Sequence, residues 1–341
     1  MTTVAEERSA GTLQASLIDD TQSGTDIPVL DVGDYLTGVS GAREKLAPVL
    51  YQALTEVGFF YLIGHGVPRS VLDDVCQEGE RFHALPLEQK NTIKLNDVFV
   101  GYMGDRQQLG RTSEYYEGHT KPDRVEAFFM QRDRAPFKLP FPNQWPQGLP
   151  GFRETLVNFF ETMEELSLSL LPLFATALDL PPDFFEPLFL KYQNIAFQRL
   201  SHYPPDPLEE DQYNSSPHTD GTFFTLLATT DVPGLEIKPK DQDWIRAPAW
   251  PEAFLVNSGD VLTRWSNGKV LSTPHRVRNL SGRDRYSIPY FVLPSPDTVI
   301  ECLPTCHEPD NPPREEPITV QEYLRWYLEQ NFTQYGKFEH D

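Results

Sequence analysis

Apolar residues recur at helical intervals in four stretches of this chain. Ala42–Val57 carries them at Leu46, Val49, Leu50 and Leu54, and Val71–Leu85 repeats the interval behind Pro68, which stands where a helix opens. Phe152–Leu180 has the longest stripe, through Leu156, Phe159, Phe160, Met163, Leu166, Leu170 and Leu173. It stops at Pro181-Pro182, whose ring nitrogens cannot donate to a helical ladder. Thr319–Asn331 forms a closing helix with Tyr323, Trp326 and Tyr327 on one side. Elsewhere the apolar runs are short. Ile27–Asp31 and the glycine-bounded Phe59–Ile63 read as strands. From Ala196 to Leu293 strands are expected at Ala196–Leu200, Phe223–Thr229, Leu235–Lys238, Trp244–Ala247, Phe254–Asn257, Val261–Trp265, Val270–Ser272, Arg276–Asn279 and Tyr286–Val292. Turn signals such as Val232-Pro233-Gly234, Asn267-Gly268 and Ser281-Gly282 separate them. So many short strands predict a mainly β protein with flanking helices, a double-sheet jelly roll or barrel, and not a parallel α/β sheet. Residues 91–150, rich in Gly, Pro and aromatics, read as a binding lid or a set of short edge strands.

With 341 residues the chain can build one large core. We expect a polar tail over 1–26 and a single catalytic domain over 27–341. Within it, 27–195 is the helical part and lid, 196–295 the jelly-roll core, and 296–341 a closing loop and helix. A formal net charge of -21 speaks against nucleic acid and anionic membranes, which both demand clustered Lys and Arg. Residues 1–26 lack the apolar core of a signal peptide, and no run reaches the length of a membrane span. Three cysteines, Cys76, Cys302 and Cys306, fit a reducing compartment. A cytoplasmic protein, monomeric or weakly homo-oligomeric, is therefore expected. No Walker A sequence or complete GxGxxG occurs, which argues against nucleotide use.

Candidate chemistry concentrates in His218-Thr219-Asp220, His275 and Arg285-Tyr286-Ser287. On an extended strand residues i and i+2 share a face, so His218 and Asp220 can converge while His275 arrives from a neighbouring strand. Two imidazoles and one carboxylate form the facial triad that binds non-haem Fe(II) and leaves positions open. A lone His-x-Asp arises easily by chance; the spacing to His275 and to an Arg-x-Ser is what gives it weight. Arg285 and Ser287 also share a strand face, and a guanidinium there offers a planar fork for a carboxylate. Cys302-Leu303-Pro304-Thr305-Cys306-His307 has a metal-like look but no second ligand pair at zinc-knuckle spacing.

These residues, with Ile27–Asp31, Gly58–Pro68, Phe82–Pro86, Tyr203-Pro204-Pro205, Asn257–Asp260 and Ser266–Gly268, make the chain resemble the Fe(II)/2-oxoglutarate-dependent dioxygenases of the isopenicillin N synthase-like group. The resemblance runs over roughly residues 27–335 in the family's order. It implies a double-stranded β-helix, a cupin-like jelly roll with helices packed outside. It implies that His218, Asp220 and His275 bind Fe(II), that Arg285 and Ser287, assisted by Tyr203, hold the distal carboxylate of 2-oxoglutarate, and that O2 is the oxidant. The small-molecule substrate would be hydroxylated, desaturated or cyclised at a C–H bond, with release of succinate and CO2. Where the family often has Asn-Tyr-Tyr-Pro this chain has Ser201-His202-Tyr203-Pro204, so an amide that commonly supports the co-substrate is replaced by Ser201.

Tyr102, Met103, Tyr115, Phe128, Phe291 and Tyr327 are candidate substrate-wall residues, with ordinary core packing as the alternative for each. His65, His83, His119 and His340 are read as turn, helix or surface residues, and His202 as packing on the strand face away from Tyr203. Two other functions remain open: an oxidase of the same fold that does not use 2-oxoglutarate, and a jelly roll that binds a ligand or uses zinc hydrolytically.

Overall fold

The structure is a computed structural model that describes residues 27–96, 98–108, 121–132, 142–190 and 193–331. In chain order the first elements are β1 (Val29–Asp31), α1 (Gly33–Leu36), α2 (Ala42–Glu56), β2 (Phe59–Ile63), α3 (Arg69–His83), α4 (Leu87–Lys90), β3 (Gly101–Met103), β4 (Glu126–Gln131) and α5 (Phe152–Ala177). Then come β5 (Ala196–Tyr203), β6 (Ser215–His218), β7 (Phe224–Thr229), β8 (Leu235–Ile237), β9 (Ile245–Arg246), β10 (Phe254–Ser258), α6 (Asp260–Trp265), β11 (His275–Val277), β12 (Arg285–Val292), β13 (Val299–Ile300), β14 (Ile318–Thr319) and α7 (Val320–Asn331).

Eight strands form one sheet in the order β1-β2-β10-β7-β12-β5-β4-β3, in which only β1 and β2 run parallel. An antiparallel sheet, β6-β11-β8-β9, packs against it. Side-chain alternation divides the apolar residues into two cores. Phe60, Leu62, Phe224, Leu226, Val256, Ile288 and Tyr290 leave one face of the large sheet and bury Leu50, Leu54, Leu156, Phe159 and Phe174 of α2 and α5. Phe59, Tyr61, Ala127, Phe129 and Tyr203 leave the other face and meet Leu235, Ile237 and Val277 of the small sheet. Phe59, Phe60, Phe159 and Phe174 are among the largest fully buried side chains, each contributing roughly 1.5–3 kcal/mol over exposure. Facing antiparallel sheets with helices outside are the jelly roll, or double-stranded β-helix, expected above.

Three local expectations change. Val261–Trp265 is helical, not a strand: its buried residues Val261, Leu262 and Trp265 follow the i, i+1, i+4 interval of α6. Val270–Ser272 joins no strand, because the Val270 amide donates to Ser266 Oγ and the Leu271 amide to Leu54 O. Conversely, Ser215–His218 has little strand propensity and is extended by pairing with β11. Residues 101–103 and 126–131 extend the large sheet at its edge, so this part of the irregular region consists of edge strands. Among the described residues no helix is long and apolar enough to cross a membrane.

Candidate active site

His218 ends β6 and His275 begins β11, and the two residues are paired directly across the small sheet. Asp220 lies beyond the end of β6, in an irregular link to β7. Strand pleating therefore orients His218, as expected, but not Asp220. Hydrogen bonds aim the carboxylate instead: Oδ2 accepts from Thr225 Oγ1 at 2.6 Å and from Asn257 Nδ2 at 2.8 Å. Oδ1 is left facing His218 Nε2 at 3.8 Å and His275 Nε2 at 3.7 Å. These separations are too long for hydrogen bonds, and they leave room for an ion between the three atoms.

The imidazoles are set for that role. His218 Nδ1 lies 2.7 Å from Ser216 O and His275 Nδ1 lies 3.2 Å from Thr273 O, an arrangement that puts the proton on Nδ1 and frees the Nε2 lone pair. Burial, together with the neighbouring His275, pushes His218 down to about 4, so the ring is neutral near pH 7, as a metal ligand must be. Burial alone would push the Asp220 carboxyl up; His275 and His218, with the donors from Thr225 and Asn257, hold it below its ordinary value.

Register carries the second half of the site. Arg285 on β12 pairs with Tyr203 on β5, and Ser287 with Ser201, so all four side chains share the inner face of the large sheet. The Arg285 guanidinium carbon sits 4.8 Å from the centre of the Tyr203 ring, and Ser287 Oγ donates to the Tyr203 hydroxyl at 3.3 Å. Arg285 is 1% exposed; its Nε donates to Val232 O at 3.2 Å, while Nη1 is buried with no hydrogen-bond partner among the described residues. A buried guanidinium nitrogen without an acceptor is costly, and a carboxylate would satisfy it. Gly234 makes the space, since a Cβ there would lie 3.1 Å from Arg285 Cδ.

Sequence profiles agree with this geometry. The 2OG-Fe(II) oxygenase superfamily profile matches residues 189–294, and one described as non-haem dioxygenase in morphine synthesis N-terminal matches residues 27–148. The chain is 34% identical over 330 residues to the 2-oxoglutarate-Fe(II) type oxidoreductase hxnY of Emericella nidulans, a match covering 92% of this chain and 91% of that protein. It belongs to the 2OG-Fe(II) oxygenase superfamily. Kihadalactone A synthase LFS of Citrus sinensis is 32% identical over 314 residues, 89% of this chain and 93% of the relative. Among solved structures, a full-length Neurospora crassa protein in complex with alpha-KG superposes with a TM-score of 0.78 at 27% identity, covering 89% of this chain and 96% of that one. The protein is thus a non-haem Fe(II)/2-oxoglutarate-dependent dioxygenase that uses O2 and acts on a small molecule.

Beside His218 and Asp220 this oxygenase has a partly open cavity walled by Phe99, Phe129, Phe197, Phe291 and Tyr327, with Arg199 among them. Helix α7 closes one side. Tyr327 donates to Thr219 O at 2.8 Å and Tyr323 to Asp260 Oδ2 at 3.0 Å, and a Cβ at Gly221 would meet the Tyr327 ring at 2.7 Å. Of the expected wall residues, Phe291 and Tyr327 line this cavity. Tyr102, Met103 and Phe128 do not. Phe128 points to the helices and packs on Phe82, Phe152 and Trp145; Tyr102 shares that core and donates to Glu126 Oε2 at 2.5 Å. Met103 is fully buried between the sheets. Tyr115 lies outside the described residues.

Arg199, Thr225, Asn257 and Phe129 were missed from sequence. Strand parity could have found two of them: Arg199 is two and four residues from Ser201 and Tyr203 on β5, and Phe129 pairs with Arg199. On the reverse face of β5, His202 behaves as expected for a residue turned away from Tyr203, but it does more than pack. Glu126 there accepts from Lys90 Nζ at 2.7 Å and lies 2.8 Å from His202 Nδ1 and 3.4 Å from His83 Nδ1, while Asp284 lies 2.7 Å from His202 Nε2. The Lys90 ammonium inside this cluster makes it an ion-pair network in place of a second metal site.

Proposed function

We propose that His218 Nε2, Asp220 Oδ1 and His275 Nε2 hold one Fe(II), and that Arg285, with Ser287 and Tyr203, takes the distal carboxylate of 2-oxoglutarate. The observation that carries this reading is the convergence of three ligand atoms within 4.8 Å of one another around a carboxylate whose other oxygen is already engaged. When bound, iron and its keto-acid co-substrate supply the oxidation of a substrate C–H bond by O2, with succinate and CO2 released and hydroxylation as the outcome we propose.

The protein's own residues do the rest. Asn257 and Thr225 fix one oxygen of Asp220, so the other needs no reorientation to meet a cation. Arg285 neutralises the far end of the co-substrate in a pocket shared with Phe59, Leu227, Leu235 and Val277, where water is displaced by apolar surface. The adjoining aromatic cavity positions an apolar substrate beside the open side of the triad. The joining of β1 to β4 to the same large sheet as the core strands supports the reading of residues 27–341 as a single catalytic domain. The three free cysteines support a cytoplasmic setting, and the net charge of -21 a monomeric or weakly self-associating protein that avoids nucleic acid and anionic membranes.

The deciding test is anaerobic addition of Fe(II) and 2-oxoglutarate. The wild type develops the visible charge-transfer band of a keto-acid chelate, and Asp220→Ala and His275→Ala do not. A band of full intensity in either variant, or turnover with Zn(II) alone, would overturn the ligand assignment. Product mass distinguishes hydroxylation, a gain of one oxygen, from desaturation, a loss of two hydrogens.

A further inference from the structure

Arg199 is a strongly basic side chain whose place the site described above does not explain. It projects from β5 into the space beside His218 and Asp220 and borders both the substrate cavity and the co-substrate pocket. The residue is 9% exposed, its Nε and Nη2 are buried, and neither meets a hydrogen-bond partner among the described residues. Its guanidinium carbon lies 5.2 Å from the centre of the Phe129 ring, which shapes one side of its surroundings without accepting a hydrogen bond. Of the acids whose charge reaches it, Asp123 and Asp220, neither forms an ion pair with it among the described residues, although Asp123 Oδ2 is itself buried without a hydrogen-bond partner. Asp123 Oδ1 accepts from the Ser216 amide at 3.0 Å and from Ser216 Oγ at 2.5 Å, and Asp220 faces the two imidazoles.

A guanidinium held dry without an acceptor is unfavourable unless a ligand completes it. Co-substrate is not needed for that, because Arg285 already offers an unpartnered nitrogen beside Ser287 and Tyr203. The remaining walls of the cavity are mainly apolar, with Phe99, Phe129, Phe197, Phe291 and Leu324, and Gln108, Thr222 and Tyr327 add polar atoms at its margin.

We propose that Arg199 is a specificity-determining residue that binds an anionic group, a carboxylate, on an otherwise apolar substrate. This rests on the reading of the iron and 2-oxoglutarate sites given above. The planar fork of Arg199 would take the carboxylate in a bidentate pair while the aromatic walls enclose the hydrocarbon frame and present a C–H bond to the open side of the triad. A neutral molecule of the same shape would leave the guanidinium unsatisfied and bind more weakly.

The experiment uses the full chain loaded anaerobically with Fe(II) and 2-oxoglutarate. Binding of trans-cinnamate, naphthalene-2-acetate and dodecanoate is compared by calorimetry with binding of their primary amides, in wild type, Arg199→Gln and Arg199→Lys. We expect at least one acid to bind about 100-fold more tightly than its amide to the wild type, the advantage of a buried charged pair. Arg199→Gln reduces that ratio to threefold or less, Arg199→Lys restores part of it, and the 2-oxoglutarate charge-transfer titration stays within twofold in all three. No acid preferred over its amide, or a preference that survives Arg199→Gln, overturns the inference. So does a loss of 2-oxoglutarate affinity in Arg199→Gln, which would give the guanidinium to the co-substrate. Absence of the band in the wild type would instead sink the underlying reading of the site.

Discussion

Asn257 Nδ2 donates to Asp220 Oδ2 at 2.8 Å, tying a strand of the large sheet to the loop that leaves the small one. Thr225 Oγ1 shares that oxygen, so Asn257→Ala removes one of the two donors that fix the carboxylate. Fe(II) affinity should fall about 10- to 100-fold, the usual cost of losing a hydrogen bond to a ligand, while the fold survives. Ferrous titration against a competing chelator, alongside thermal unfolding of the metal-free protein, measures both. Unchanged affinity would mean that Thr225 and the backbone orient Asp220 without Asn257.

Arg285 and Lys differ at a site of this shape. Nε is engaged by Val232 O and Nη1 faces the pocket unpartnered, whereas a lysine ammonium is a single point of charge that cannot make both contacts. Arg285→Lys should therefore raise the apparent Kd for 2-oxoglutarate by about 100-fold, a loss on the order of 3 kcal/mol from one truncated bidentate pair. Ser287→Ala, which removes a neutral hydroxyl that also contacts Tyr203, should cost less than about tenfold. Anaerobic titration of the charge-transfer band reads both, and an equal loss in the two variants would displace Arg285 as the main anchor.

The double-sheet architecture could be read from the strand-and-turn rhythm of residues 196–293, and the convergence of His218, Asp220 and His275 from residue type and spacing. The wall of the cavity could not be read by aromatic content, because strands that are buried on both faces carry aromatics on each. Phe128 and Phe129 are neighbours, yet the first belongs to the helix-side core and the second to the cavity. Parity decides between them, and it could have been carried from Arg285 and Ser287 to Ser201 and Tyr203, then to Arg199 and Phe129, once the pairing of β12, β5 and β4 is known. That pairing is nonlocal and leaves no mark in any one segment. Asn257 was visible as the end of the strand Phe254–Asn257 and within a family-like piece, with no role attached to its side chain; its bond to Asp220 spans two sheets.

The Phe128 and Phe129 pair gives a direct check of that division. Phe128→Ala opens a void among Phe82, Trp145 and Phe152 and should destabilise the protein by about 3–5 kcal/mol with little change in substrate KM. Phe129→Ala should raise substrate KM or alter the product pattern, because it enlarges the cavity next to Arg199. Urea unfolding and steady-state kinetics on the two variants separate the roles; a larger KM effect from Phe128→Ala would reverse the assignment.

His202 makes stability depend on pH. Burial alone would lower its pKa, but hydrogen bonds to Glu126 and Asp284 raise it above the ordinary 6.5. The surrounding groups are Glu126, held well below its usual range by His202, His83 and Lys90 against the effect of burial, His83, lowered by burial, and Tyr286, stacked 4.9 Å away. A raised pKa in the folded state means that the stabilisation is complete below about pH 6.5 and is lost as pH climbs through the folded value. Glu126, lowered, contributes above its ordinary 4.5 and loses that contribution only as pH falls through its folded value. His202→Phe keeps a ring against Tyr286 but removes both ionic hydrogen bonds, so it should cost about 1–3 kcal/mol near pH 6. That penalty should shrink steadily toward pH 9, as the wild-type imidazole loses its proton and the two proteins converge. Urea midpoints measured for both between pH 5.5 and 9 test this, and a penalty constant across the range would mean that His202 is uncharged in the folded protein.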